Sequence, residues 1–403
     1  MNKDEFYTLI PKNRVTQVIR KTRLPAYLYF KEIIQKKYMD LSACLPKGMA
    51  IHYAFKANTN KEVLSALRSL GIGADVASGG ELELSNELSY KAADVEFTGP
   101  GKTVQELSLA IDLGISSINV ESISEIRKII NLCRVKNVRA NVGIRVNPTS
   151  RPSSSAMKMG GDTQFGIAEN DLEEAISIMK DEIKLLHFTG LHMHLGSQYM
   201  NAEKIVENYR FILEKALGIA QRCTTRIEKI NFGGGWGIDM FGKKSPLNLT
   251  ILKDGLGDLF ADQKYKGAFS ETKFIIEPGR FLVAECGIYA CEVIYRKKGY
   301  SREFLIVDGG MHHHYAAAGG IGQVIRRNYE VDAIVESGTD GVTSKYTVAG
   351  SLCIPDDILA TELDLDSLIK EGDILLFFNS GAYGFSASPL HFLSHPLPRE
   401  IVQ

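Results

Sequence analysis

Lys56 is the residue whose neighbourhood promises the most chemistry. It closes the run HYAFKANTN, residues 52–60, where alternating apolar residues read as a short strand running into a polar turn. A partly desolvated lysine has a lowered pKa and forms Schiff bases with carbonyl compounds. Other strand-like runs end on reactive types as well. IGADVA brings Asp75, with Ser78 and Glu81 after it, and ANVGIRV brings Arg145 and Asn147. GLHMHLGSQ brings His192, His194 and Ser197. KINFGGG brings Gly233, Gly234 and Gly235, and KFIIEPGR brings Glu277, Gly279 and Arg280. Singly, each has an ordinary reading: a solvated lysine, a core histidine, a tight turn, a surface ion pair. Together they make a cation, carboxylates, imidazoles and a glycine loop.

The glycine loop and Arg280 share one physical meaning. Glycines let backbone N–H groups approach an anion, and a guanidinium adds a charged fork suited to phosphate oxygens. No G-x-x-x-x-G-K-[ST] loop is present, nor a dinucleotide G-x-G-x-x-G between a strand and a helix. A small phosphorylated ligand therefore fits better than a nucleotide. The cofactor that combines a lysine link, a phosphate and a carboxylate partner for its ring nitrogen is pyridoxal 5'-phosphate. Glu277 is the candidate carboxylate, and His194 the candidate to stack on the ring.

Eight strand-like runs from Ala50 to about Arg280 alternate with stretches of helical period, such as KEVLSALRSLG and TVQELSLAIDLG. This is the pattern of a (β/α)8 barrel, whose active site lies at the C-terminal ends of its strands. An open doubly wound sheet shares the pattern. From Phe281 the rhythm changes to closely spaced strands: LVAECGIYACEVIYRK, EFLIVDGG, KYTVAGSLC and DILLFFNSG. The expectation is an α/β fold with two domains. One is a cofactor-binding barrel over residues 26–280. The other is a mostly antiparallel β domain, a sandwich or small barrel, from residues 1–25 and 281–403. A net charge of −1 over 403 residues argues against nucleic acid and polyanions as partners. The polar N-terminus lacks a signal core, and no apolar run is long enough to span a membrane. Six scattered cysteines without metal-like spacing point to reduced thiols and a cytoplasmic setting.

YAFKAN, GADVASGGELE, GLHMHLGSQ, NFGGGWG, IEPGR, GSLC and GAYG stand in this order from about residue 25 to 400. The ordered set resembles the fold type III, alanine-racemase-like pyridoxal-phosphate decarboxylases, which include the diaminopimelate and ornithine/arginine decarboxylases. The resemblance implies roles by motif. Lys56 carries the cofactor as a Schiff base, with Asp75 near it and Arg145 in the hydrogen-bond set around the ring. His194 stacks on the ring and Glu277 pairs with its nitrogen. Ser197, Gly233, Gly234, Gly235, Gly279, Arg280 and Tyr383 hold the phosphate. Cys353 resembles the cysteine that enters the site of the partner subunit and supplies a proton. It further implies a head-to-tail homodimer with shared active sites.

Departures from the family pattern carry the substrate information. An acid follows the cysteine in diaminopimelate and ornithine decarboxylases and holds the distal ammonium of the substrate; here Ile354 takes that place, followed by Pro355, Asp356 and Asp357. A buried unpaired ammonium costs about 3–5 kcal/mol. VDGGMHHHYAAAGGIGQVIRRNY replaces the family's substrate-contacting segment, and one or two of His312–His314 are expected at the active-site mouth. Neighbouring residues of a strand alternate faces, so three adjacent histidines make a poor metal site, and none is expected. KMGG and QFGI within Ser153–Ile167, with VDGGMHHH and SGAYGFSASPLHF, resemble the subgroup of the butirosin-pathway decarboxylase, which acts on glutamate tethered to an acyl carrier protein. The expectation is thus decarboxylation of a glutamyl-like unit on such a carrier, with Cys353, Ile354, Asp357, His313 and Arg326 at the substrate. The alternatives are a decarboxylase of free meso-diaminopimelate, lysine or ornithine, a non-catalytic partner-binding regulator, and a racemase. Retention of Lys56, Glu277 and Cys353 argues against the regulator, and Cys353 against the racemase.

Overall fold

The computed structural model describes residues 1–150, 157–158, 161–242, 245–323, 326–336, 338 and 341–403. Each of the eight expected runs is a strand: β1 Ala50–Ala54, β2 Gly73–Val76, β3 Val95–Phe97, β4 Ser117–Val120, β5 Ala140–Asn147, β6 Leu186–His192, β7 Lys229–Asn231 and β8 Lys273–Ile276. Each strand pairs in parallel with the next, and β8 returns to β1 through Ile275↔Ala50 and Ile276↔Ile51. The circle is closed, which decides for the barrel and against the open sheet.

The helices between these strands start and stop where local chemistry says. Asn60 accepts the N–H groups of Glu62 and Val63 ahead of helix Lys61–Ser69, which buries Val63, Leu64 and Leu67 against the strands. Thr103 and Glu106 form a reciprocal cap before Val104–Leu113, and Gly114 ends that helix at φ 62°. Such alternation forces every strand to run the same way, so all eight C-terminal ends share one rim.

After β8 the chain makes a short helix, Arg280–Val283, and then enters the second sheet. Its strands are β9 Gly287–Lys298, β10 Glu303–Val307, β11 Val331–Ile334, β12 Thr343–Ala349, β13 Ile358–Asp366 and β14 Ile374–Phe377, in the order β11-β14-β9-β10-β12-β13. All these pairings are antiparallel except β10 with β12. LVAEC, read from sequence as the start of a strand, is helical over Leu282–Cys286 because it caps the barrel rim before the sheet begins.

The junction also lies elsewhere than at residue 26. Ala26–Tyr29 pairs antiparallel with Gly287–Ala290 and parallel with Arg399–Val402, so this strand belongs to the second sheet. Its side chains are all buried, which hides from sequence which sheet it joins. The preceding helices pack on the same domain: the Tyr7 hydroxyl donates to Asp332 at 2.7 Å, and Phe6 meets Phe378 edge to face.

Gly190 in β6 has φ 151°, and a Cβ there would collide with the Lys229 carbonyl of β7. Gly190→Ala is expected to destabilise the fold by about 1–3 kcal/mol or to abolish soluble expression. Thermal unfolding checks this, and an unchanged midpoint would refute the tight β6–β7 approach.

Candidate active site

Lys56 sits in the single helical turn Phe55–Ala57 that follows β1. Its side chain is half-exposed at the rim, with Nζ 3.7 Å from the buried Asp75 carboxylate at the end of β2. Desolvation works against the ammonium, but Asp75, then Tyr383 and Glu277, outweigh it. The Lys56 pKa therefore lies above that of an ordinary lysine. This reverses the lowered value expected from sequence, because the lysine tip comes with carboxylates that the strand pattern alone does not place. Burial, then Glu277, pushes the Asp75 carboxyl up, while Lys56 pulls it down.

Glu277 follows β8 and is 5% exposed. Its Oε2 lies 3.0 Å from His192 Nε2, and its Oε1 accepts from Asn231 Nδ2 at 2.6 Å. Burial opposes its charge, but His192 and then Lys56 and His194 hold the carboxyl well below its ordinary range. Glu277 is thus a fixed anion, as a partner for a protonated ring nitrogen must be. His194 Nδ1 accepts the Gly234 N–H at 3.0 Å, and burial, then Lys56 and Arg145, lowers its pKa to about 3. A neutral imidazole with Nδ1 occupied carries its proton on Nε2 and offers a flat face to an aromatic ring. The Arg145 guanidinium donates to Glu121 Oε1 at 2.9 Å and stacks on Phe165.

The phosphate side is equally specific. A Cβ at Gly233 would collide with His194, one at Gly234 with the Glu277 carbonyl, and one at Gly235 with the Gly196 carbonyl. Gly233 and Gly235 also have φ 64° and 106°. The loop therefore presents bare backbone. Ser197 Oγ is buried and has no hydrogen-bond partner among the described residues; the same holds for Asp75 Oδ1. The Arg280 guanidinium lies 4.5 Å from the Tyr383 ring centroid, and no carboxylate among the described residues pairs with it. Gly279 packs on Ala54 and Ala57. Tyr383 is held at φ 56° by its N–H bond to the Ala57 carbonyl, 2.8 Å, a strained backbone locked against the Lys56 turn. A bare loop, an unpaired hydroxyl and an unpaired guanidinium fit a phosphate, and Lys56, His194 and Glu277 fit the ring beside it.

The substrate residues named from sequence are less united. Cys353 is an exposed free thiol in the loop between β12 and β13. Ile354 walls an open pocket of about 610 Å3 with Met311, Tyr315, Ser386, Ser388 and Phe392, and no acid is among its lining residues. Ser386 Oγ lies 3.4 Å from the carbonyls of Lys56 and Ala57. Asp357 is turned into its own loop. It is buried, and its two oxygens accept the N–H groups of Met311 and Leu352 at 2.6 and 2.8 Å. His313 is not at an open mouth. The triplet lies in a turn rather than a strand, and all three rings are buried within the chain. His313 Nε2 lies 3.0 Å from the Pro396 carbonyl and His314 Nε2 2.8 Å from Ser380 Oγ. Desolvation lowers His313 to about 4, so it is neutral. No cluster of metal ligands occurs among the described residues. Arg326 is exposed and bonds the Ile358 carbonyl. Residues 153–156 and 159–160 of the Ser153–Ile167 motif lie outside the described residues.

Sequence reasoning missed His192 as the partner of Glu277, and Asn231. His192 was visible as a strand-end residue, but an extended strand would put it on the same face as His194, and only the fold shows that the strand ends at His192 and that His192 is the one that meets the carboxylate.

A barrel with this rim and a second β domain defines a pyridoxal-phosphate decarboxylase of the alanine-racemase-like class. The family model "Pyridoxal-dependent decarboxylase, pyridoxal binding domain" matches residues 31–284, and the chain belongs to this family. The chain is 36% identical over 392 residues to the L-glutamyl-[BtrI acyl-carrier protein] decarboxylase of Niallia circulans, covering 96% of this chain and 91% of that protein. It is 30% identical to the diaminopimelate decarboxylase of Bacteroides thetaiotaomicron, with 91% and 92% covered. Among solved structures, diaminopimelate decarboxylase from M. jannaschii in complex with L-lysine superposes with a TM-score of 0.85 at 27% identity, covering 96% of this chain and 89% of that one. The protein is therefore a pyridoxal-phosphate-dependent decarboxylase. Among the described residues no helix is long and apolar enough to cross a membrane.

Asp75→Asn leaves Lys56 its desolvation without the nearest counter-charge. The pH midpoint for cofactor attachment, followed by absorbance, is expected to move down. An unchanged or raised midpoint would show that Asp75 does not govern this lysine.

Proposed function

We propose that the protein decarboxylates a glutamyl-like L-aminoacyl unit tethered to an acyl carrier protein. The observation that carries this reading is the acid-free pocket at Ile354, together with the inward turn of Asp357. Asp357 is 2% exposed with both oxygens turned to its own loop's N–H groups, and Asp356 is exposed beside Arg326. A diamino acid would leave its second charge unpaired, whereas a neutral thioester on a long arm needs no such partner. The likeness to the Niallia circulans enzyme supports the same reading.

The geometry at the rim supports the residue roles that the family motifs imply. Lys56 bears the cofactor, and Asp75 and Arg145 order the groups around it. His194 covers the ring face and Glu277 holds the proton on the ring nitrogen. Ser197, Gly233, Gly234, Gly235, Gly279, Arg280 and Tyr383 hold the phosphate. When bound, the cofactor supplies an electron sink for the bond between Cα and carboxylate. Carbon dioxide leaves, and the Cys353 thiol gives its proton to Cα and regains one from solvent. Cys353 is exposed on its own chain, and by the family pattern it acts in the site of a second copy. The working unit is a homodimer in which each Cys353–Ile354 loop completes the other site. All six cysteines are free, in keeping with a cytoplasmic location.

The test is carbon dioxide release with added cofactor from glutamate loaded on an acyl carrier protein, beside free diaminopimelate, lysine and ornithine. Release from the loaded carrier alone is expected; release from a free diamino acid sinks the substrate reading and leaves the decarboxylase intact. Ile354→Glu, which restores an acid in the pocket, is expected to gain activity on a free diamino acid. No gain in a folded variant would show that residue 354 does not set the substrate.

A further inference from the structure

Below the cofactor layer the barrel interior is polar, where such cores are mostly branched aliphatic. Glu96 of β3 is 1% exposed. Its Oε2 accepts from Asn231 Nδ2 at 2.7 Å and from Asn119 Nδ2 at 3.3 Å, and its Oε1 lies 3.9 Å from Lys229 Nζ. The same Asn231 Nδ2 donates to Glu277 Oε1 at 2.6 Å, while Asn231 Oδ1 accepts the Gly233 N–H at 2.8 Å. A side-chain amide has two N–H donors and a carbonyl. Here one donor meets Glu277, the other meets Glu96, and the carbonyl meets the first glycine of the phosphate loop. The amide plane is pinned from three directions.

Glu96 is the deepest of these pins. Without an acceptor there, one N–H of a fully buried amide would lack a partner, which is costly. The amide would rotate toward another acceptor. Any such rotation drags its other donor off Glu277 and its carbonyl off Gly233. Glu277 and the glycine loop would loosen together, although neither touches Glu96.

We propose that Glu96 and Asn231 are positioning residues for the cofactor: they aim the Glu277 carboxylate at the ring nitrogen and set the first N–H of the phosphate loop. The proposal rests on the reading of Glu277 given above.

Three variants separate the possibilities, each purified, saturated with pyridoxal 5'-phosphate and read by the absorption band and dissociation constant of the bound cofactor. Glu96→Leu removes the acceptor. Glu96→Gln keeps it, since the amide oxygen can take the place of Oε2, and gives up only the looser pairing with Lys229 Nζ, 3.9 Å away. Glu277→Gln is the reference for a lost ring-nitrogen partner. Expected are a shifted band in Glu96→Leu in the same direction as in Glu277→Gln, cofactor affinity weakened about tenfold, the loss of one charge-assisted hydrogen bond, and near-native behaviour in Glu96→Gln. A folded Glu96→Leu protein with the native band and affinity overturns the proposal, as does a Glu96→Gln protein equally impaired. If Glu96→Leu does not fold, Asn231→Ala is read the same way, and a native band there overturns it too. A native band in Glu277→Gln instead overturns the reading of Glu277 itself.

Discussion

The closeness of two buried carboxylates, Asp75 and Glu277, to one lysine is the constraint on which the site depends. Neither acid is tolerable alone at such low exposure. Each is made so by a different partner: Asp75 by the Lys56 ammonium 3.7 Å away, and Glu277 by His192 and Asn231 at 3.0 and 2.6 Å. The two environments push the carboxyls in opposite directions, Asp75 up and Glu277 down. Such divergence is a mark of acid–base function rather than of scaffold. Glu277 is held as an anion, while Asp75 and Lys56 act on each other's charge.

Barrel closure makes that arrangement possible. Lys56, Asp75, Arg145, His194 and Glu277 come from five strands, and only a closed parallel sheet turns five separate strand ends into one rim. The second domain completes it. Tyr383, from the segment after β14, binds the Ala57 carbonyl and lies against Arg280. The rim is thus shared between barrel loops and a segment more than 300 positions beyond Lys56. Its steric demands are strict: each of the three glycines sits where a side chain would strike the backbone or ring of a neighbouring strand end.

The substrate side is built differently. Asp357 stabilises its own loop by accepting two backbone N–H groups, and His313 and His314 satisfy a carbonyl and a hydroxyl within the chain. What remains at the open pocket around Ile354 is apolar or neutral: Met311, Tyr315, Ile354 and Phe392, with serines. Asp357, His313 and His314 serve the scaffold here, and the apolar departure, Ile354, lines the open pocket.

Sequence alone determined the strand and helix order, because apolar periodicity and capping residues such as Asn60, Thr103 and Gly114 act over a few positions. It also determined which residues stand at strand ends, and so which side chains share one rim, since a parallel strand must deliver its last side chains there. Tertiary structure decided what depends on neighbours distant along the chain. The strand Ala26–Tyr29 is apolar on both faces, and only its pairing with β9 and Arg399–Val402 assigns it to the second sheet. His192 rather than His194 meets Glu277, and Asn231 bridges Glu277 and Glu96, because β3, β6, β7 and β8 converge inside the barrel. The raised Lys56 pKa, the inward Asp357 and the buried histidines have the same cause. Charge and hydrogen-bond satisfaction act across space, and folding sets which groups are near enough to supply them.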